Sequence, residues 1–340
     1  MGISRVAGAI IAGVLLGSAS VAGAGSLPGA VQFAVPPPKS AWDGFYAGVN
    51  AGYDPGLNNG VAINAAPIQD DYVAALRNYW AAQGPLATYS TVPSGFTSLA
   101  NIGVAHVKQA GSAIGGQFGY NFKLLPKFVF GFEADLQSTS VGGSGTYMGA
   151  FRDGSFLHIP AFAGNPDITR TLLQDAAGSG AVAAGVDWLA TVRGRMGWLA
   201  TPTFLLFGTG GAAFGAAHAT AAHSATLQET YLFTIGNTAF SGGSSNWSSS
   251  GGAGNYDATR IGWAAGGGGE WMFAPKWSLK GEALYYDLGS ATFASSPIVI
   301  DIPAGGVYAG FGRQIISNIA FTRVNFNGVL LRGGVSYHFN

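Results

Sequence analysis

The chain contains no cysteine. That excludes a disulfide framework, a thiol nucleophile and thiolate metal sites. Charge is scarce: 16 Lys and Arg against 16 Asp and Glu give 9% charged residues and a formal net charge of zero. A typical soluble domain carries about 25%. A neutral chain lacks the counterion release that drives nucleic-acid binding, so no nucleic-acid partner is expected. Beyond the N-terminal region no uninterrupted apolar run approaches the roughly 20 residues a membrane helix needs, so a membrane-resident chain would cross as strands.

What is abundant points the same way. Glycine, at 55 of 340 residues, exceeds twice its ordinary share of about 7%. Aromatics reach 13%. Few charges with many aromatics suit a protein solvated partly by lipid. At the N-terminus Arg5 precedes an apolar stretch from Val6 to Leu16, and Ala22-Gly23-Ala24 is an A-x-A cleavage site. This pattern predicts a secretory signal over 1–24. The following residues, 25–41, include Pro36-Pro37-Pro38 and read as an extended linker. A single domain is expected over 42–340.

Within that domain two textures alternate. Eight segments are glycine- and aromatic-rich with period 2: 44–53, 112–122, 127–138, 187–199, 203–215, 259–273, 276–288 and 324–339. Each is long enough for a tilted strand of about 9–11 residues to span a membrane. Lys123–Pro126, Ala200–Pro202 and Ala274–Pro275 form short, proline-bearing joints. The other connections, 54–111, 139–186, 216–258 and 289–323, are long and read as loops. Strict alternation of short turns and long loops predicts an all-β fold: an eight-stranded antiparallel up-and-down transmembrane β-barrel, with termini and short turns periplasmic and long loops extracellular. Two helices are expected within the loops, one over Asp71 to Ala82 and one between Asn165-Pro166 and Gly178.

The strand faces assign the side chains. Phe45, Phe128, Phe130, Trp188, Trp198, Trp277, Tyr285, Tyr337 and Phe339 fall on the lipid-facing side or its aromatic girdles. Glu133, Asp135, Arg193, Arg195, Arg260, Glu270, Lys280, Glu282 and Arg332 fall on the inner side, four acids against five bases. A nearly balanced set suits a salt-bridged, plugged lumen, because unpaired buried charges are costly. The alternative is a narrow ion-conducting pore whose selectivity these residues set.

Five stretches resemble the alphaproteobacterial outer-membrane immunogenic-protein family, small OmpA-like barrels often labelled porin family. They are Trp42-Asp43-Gly44-Phe45-Tyr46-Ala47-Gly48-Val49-Asn50-Ala51-Gly52-Tyr53, Gly131-Phe132-Glu133-Ala134-Asp135, Thr191-Val192-Arg193-Gly194-Arg195, the run from Trp277 to Gly289, and Val335-Ser336-Tyr337-His338-Phe339. The resemblance implies an eight-stranded outer-membrane barrel exposed as a surface antigen, with no catalytic residues. The loops are longer than the family's. The chain ends Phe339-Asn340 where an aromatic last residue is the usual assembly signal.

No catalytic or metal constellation stands out. His218 and His223 are five apart with only Glu229 near them in sequence, a weak ligand set. His338 is expected to point into the lumen near the periplasmic rim. Gly266–Gly269 lacks the Lys-Ser/Thr of a phosphate loop and reads instead as a strand segment allowing curvature. No cofactor is expected. The expected partners are outer-membrane lipid, the barrel assembly machinery during insertion, and a host or envelope component at the loops. Loop aromatics such as Tyr79, Trp80, Phe151, Phe156, Phe233, Phe240 and Trp247 either pack the loops together or form that docking surface. The function expected is structural, with surface presentation. A small passive porin is the alternative, and a barrel-based enzyme is third.

Overall fold

The computed structural model describes residues 41–304 and 312–339. The expected signal, nearly all of the linker and Asn340 lie outside the described residues.

Three prolines set the framework. Pro126, Pro202 and Pro275 each begin a two-residue turn between long antiparallel strands. The fixed φ of proline preorganises such turns. In chain order the elements are β1 (Gly44–Asp54), β2 (Asn58–Asp70), α1 (Asp71–Ala81), β3 (Thr88–Ser90), α2 (Phe96–Leu99), β4 (Gly103–Lys108), β5 (Gly111–Leu125), β6 (Phe128–Ile159) and β7 (Ile168–Thr201). There follow β8 (Phe204–Ile235), β9 (Thr238–Gly251), β10 (Ala253–Ala274), β11 (Trp277–Ala294), β12 (Ile298–Ile302) and β13 (Gln314–His338).

The fold is all-β, with thirteen strands in one sheet rather than the eight expected. Antiparallel pairing runs β1-β5-β6-β7-β8-β10-β11-β13 and returns from β13 to β1, so these eight strands close a ring. The Tyr46↔His338 and Tyr46↔Gly119 pairs anchor the closing strand on both sides.

The additional strands arise in the segments read as loops. Strands β6, β7 and β8 run 32, 34 and 32 residues, far past the ring, and β2, β3, β4, β9 and β12 pair around this extension. The sequence hid them because their alternation sets small residues against small residues. In β8, Ala217, Ala219, Ala221 and Ala225 are buried, while Thr220, Ala222 and Ser224 between them are exposed. A hydropathy pattern cannot register that difference.

The helix expected over Asp71–Ala82 forms as α1. Asp70 caps it, its carboxylate accepting from the Val73 N–H at 3.0 Å. Tyr72, Val73, Leu76 and Trp80 are buried and form its packed face. The helix expected before Gly178 does not form: that stretch belongs to β7 and pairs residue by residue with β6 and β8. Ladder pairing on both sides overrides a local proline signal.

Glycine decides where layers meet. A Cβ at Gly143 would lie 2.0 Å from the Lys108 carbonyl oxygen, and one at Gly145 would lie 2.2 Å from that of His106. Strand β4 therefore rests directly on the inner face of β6, a close approach that only glycine allows. In β10, a Cβ at Gly268 would lie 1.9 Å from the Gly281 carbonyl oxygen. The glycine run lets that strand curl tightly within a small ring.

Candidate functional site: the interior of the strand ring

The period-2 alternation of β6, β7, β10, β11 and β13 turns one set of side chains inward, and register brings their charges to common levels. Glu133 pairs across from Arg193, Glu270 from Lys280, and Glu282 from Arg332. Arg193 lies at the centre, 1% exposed. Its guanidinium donates to Glu133 at 2.6 Å, Asp135 at 2.7 Å and Glu282 at 2.6 Å. Lys280 donates to Glu133 at 2.7 Å and lies 3.3 Å from Glu282. Arg332 donates to Glu282 at 2.7 Å and to Asp135 at 3.0 Å. Arg195 pairs with Glu270 and stacks over Phe207, 4.1 Å from the ring centroid. Neutral groups complete the set: Tyr46 of β1 donates to Glu133 at 2.6 Å and Thr191 of β7 to Asp135 at 2.8 Å.

Arg260 is the one member of the nine that the structure holds apart. Its guanidinium donates to the carbonyls of Leu288 and Ser290, at 2.7 and 2.9 Å, and to the Tyr256 hydroxyl at 2.8 Å. It clamps the register shift in β11 between Asp287 and Ser290. Without it, four acids (Glu133, Asp135, Glu270, Glu282) face four bases (Arg193, Arg195, Lys280, Arg332), and the buried set balances.

Apolar layers enclose the charges at both ends. At the turn end, Trp42, Val129, Leu199, Leu205 and Met272 form one cluster, with the Trp42 indole donating to the Pro202 carbonyl at 2.9 Å. His338 sits there, 1% exposed, its ring edge-on to Trp42 and Nε2 3.0 Å from the Ser278 hydroxyl. Trp42 and Ser278 are neighbours that spacing could not announce. At the opposite end, Leu189, Leu284, Leu288 and Phe326 continue into the core beneath α1 and α2.

The outer surface of the ring reverses this chemistry. Phe45, Phe128, Trp198, Trp277 and Phe339 are exposed, whereas Phe130, Trp188, Tyr285 and Tyr337 are half-buried. Phe130 stacks on Phe122, Tyr285 packs on Trp263, and Tyr337 lies edge-on to Trp277 and Phe339. Along β11 the outward positions from Trp277 carry no charge until Asp287. Ten residues at about 3.4 Å each, tilted about 40°, span roughly 26 Å, close to the ~25 Å apolar band of outer-membrane barrels.

The histidines read as a loop pair lie in β8. His218 lies 3.2 Å from Asp187 on the surface. His223 is buried, Nδ1 3.0 Å from the Tyr147 hydroxyl and Nε2 3.2 Å from that of Thr322. Burial lowers the His223 imidazole from its usual value and raises the Tyr147 hydroxyl to about 12. No group of three metal-ligating side chains occurs among the described residues. Of the aromatics read as loop residues, Trp80 is buried in the core and Phe151 and Trp247 pack against it. Tyr79, Phe156 and Phe240 remain exposed.

No family model matches the chain. It is 32% identical over 181 residues to the 31 kDa outer-membrane immunogenic protein of Brucella melitensis biotype 1, and equally to the protein of that name in Brucella suis biovar 1. The match covers 53% of this chain and 55% of each relative, so the chain spans about half the length of the curated relatives it matches. Among solved structures, Ail, the attachment invasion locus protein of Yersinia pestis, is 10% identical, with 85% of this chain and 99% of Ail covered and a TM-score of 0.23. The outer membrane protease OmpT of Escherichia coli is 8% identical, with coverage of 88% and 97% and a TM-score of 0.22. Likenesses that low carry no argument about fold or function. The resemblance of the strand motifs to the outer-membrane immunogenic proteins is matched by direct sequence similarity to two proteins of that name.

Proposed function

We propose that this chain is a bacterial outer-membrane surface protein, in which the eight-strand ring spans the bilayer as a sealed up-and-down barrel and the extension stands outside the cell. Its role is structural, with presentation of the extracellular sheet to a host or envelope component, and it has no catalytic function. The termini and proline turns face the periplasm.

One observation carries the reading: the ring is inside out relative to a water-soluble barrel. Its charges face inward and are paired, and its large apolar side chains face outward in a band of membrane width. A closed ring leaves no unpaired strand edge, which hydrocarbon requires. An eight-strand barrel is just wide enough for side chains to fill. The balanced ion pairs between two apolar layers supply that filling and favour a plug over a pore.

Single-channel recording on the refolded mature protein in a planar bilayer tests the sealed lumen. The expected result is no conductance step above baseline. Reproducible steps would replace this reading with a passive porin.

A further inference from the structure

We propose that Arg260 and Arg323, which converge on Ser290 at the outer end of the strand ring, hold the phosphate of an anionic lipid headgroup in the outer leaflet. The inference rests on the outer-membrane reading above.

The wall of the ring changes its bonding at this point. The β10–β11 ladder runs up to Trp263↔Asp287, and the β11–β13 register shifts between Asp287 and Ser290. Above that rung the carbonyls of Leu288 and Ser290 accept from the Arg260 guanidinium, at 2.7 and 2.9 Å. The hydroxyl of the same Ser290 accepts from Arg323 of β13 at 3.1 Å. Two guanidiniums from different strands therefore meet at one serine. Arg260 is half-buried and Arg323 is exposed. Gly289 beside them carries no side chain to cover the place: a Cβ there would lie 3.2 Å from Arg260 Nη2.

No carboxylate neutralises this pair. None of the ion pairs among the described residues includes Arg260 or Arg323. Elsewhere on the surface Arg152 and Arg313 each hold an aspartate. Of the nearest acids in sequence, Asp287 accepts from the Gly289 N–H at 2.7 Å, and Asp257 stands across the β8–β10 ladder from His218. Two cations held together repel, and an anion between them relieves that cost. Arg260 commits N–H groups to Leu288, Ser290 and Tyr256, and Arg323 commits one to Ser290, so donors remain on both. A phosphate presents several oxygens that accept from two guanidiniums at once, and the planar fork of arginine matches its geometry.

Height selects a lipid as the source. Ser290 stands three residues beyond Asp287, where the outward apolar band of β11 ends. At about 3.4 Å per residue and a tilt of about 40°, that is roughly 8 Å, and a headgroup layer is about 5–8 Å thick. Just below, Trp263 and Tyr285 pack with ring centroids 5.2 Å apart on the outward face, the place of interfacial aromatics. A lipid whose chains lie against those rings brings its phosphate to the level of Ser290.

The test titrates the refolded mature protein in detergent with bis-phosphorylated lipid A, and separately with the same lipid stripped of both phosphates. Bound lipid is counted by native mass spectrometry. The phosphorylated lipid should bind about tenfold more tightly, as expected for charge-assisted bonds. Arg323→Gln, at an exposed position bonded to Ser290 alone, should remove most of that preference while binding of the stripped lipid and heat-dependent gel mobility stay unchanged. Arg323→Lys should recover part of it. Arg77→Gln, exposed on α1, should leave it intact. Equal binding of the two lipids, a preference indifferent to Arg323→Gln, or an equal loss in Arg77→Gln overturns the site alone. Displacement of the lipid by excess inorganic phosphate would assign the arginines to a free anion and overturn the lipid reading of them. A parent without a heat-modifiable band overturns the barrel reading and the site with it.

Discussion

Replacing Arg193 by methionine removes the centre of the buried ion network while keeping an unbranched side chain in place. Arg193 closes three ion pairs, with Glu133, Asp135 and Glu282, at 2.6 to 2.7 Å. After the change, four lumen acids face three bases, and Glu133, Asp135 and Glu282 must share Lys280 and Arg332, with Arg195 3.9 Å from Glu133. Breaking a buried pair by removing one partner costs about 3–5 kcal/mol, because the remaining charge is left buried and uncompensated. Urea unfolding of the detergent-refolded protein, followed by loss of the heat-modifiable gel band, reads this directly. At an m-value of about 2 kcal/mol/M, the midpoint should fall by roughly 1.5–2.5 M. Lysine at the same position keeps the charge but loses the planar fork, and should fall between. A methionine variant within 0.3 M of the parent would mean that water already solvates these carboxylates, and the sealed-lumen account would be wrong.

Other consequences follow from single contacts. Tyr46→Phe removes the 2.6 Å donor to Glu133 and should cost about 1.5–3 kcal/mol in the same assay. Gly143→Val would place a Cβ 2.0 Å from the Lys108 carbonyl oxygen, so β4 must lift from β6. Protease added to cells should then cleave within 58–108, whereas the parent resists. His223 has a lowered folded-state pKa, so its neutral form is the one that fits. Its contribution to stability is complete above the unfolded value of about 6.5 and is lost as pH falls through the folded value. Thermal midpoints of the parent should therefore drop between pH 7.5 and 5, and His223→Gln should flatten that slope. An equal slope in both would remove His223 from the account.

The strand ring was legible because its residues differ in kind. Along β11, Trp277, Leu279 and Tyr285 against Ser278, Lys280 and Glu282 display the period on sight, and the prolines at 126, 202 and 275 mark the three short turns of the ring. The inner charges followed from the same period. Arg260 did not, because its partners are the Leu288 and Ser290 carbonyls at a register shift, which leaves no mark in a hydropathy pattern. The extension built on β6, β7 and β8 is hidden for a related reason. Many of its inner positions, such as Gly143, Gly145, Ala184, Ala217, Ala219 and Ala221, are alanines and glycines, so much of both faces reads as loop. No neighbour in sequence marks the place of His223: Tyr147 is 76 residues away and Thr322 is 99.

The central claim is that β11 crosses a membrane with its apolar face to lipid and its charged face to a sealed interior. A nitroxide scan of single cysteines from Ser278 to Tyr285, in protein reconstituted into lipid nanodiscs, tests it most directly. The account predicts that labels at Leu279, Ala283 and Tyr285 collide with lipid-soluble oxygen, while labels at Ser278, Lys280 and Glu282 are shielded from oxygen and from a water-soluble nickel relaxant. Accessibility to the nickel agent at the outward positions, or at both sets alike, would contradict it.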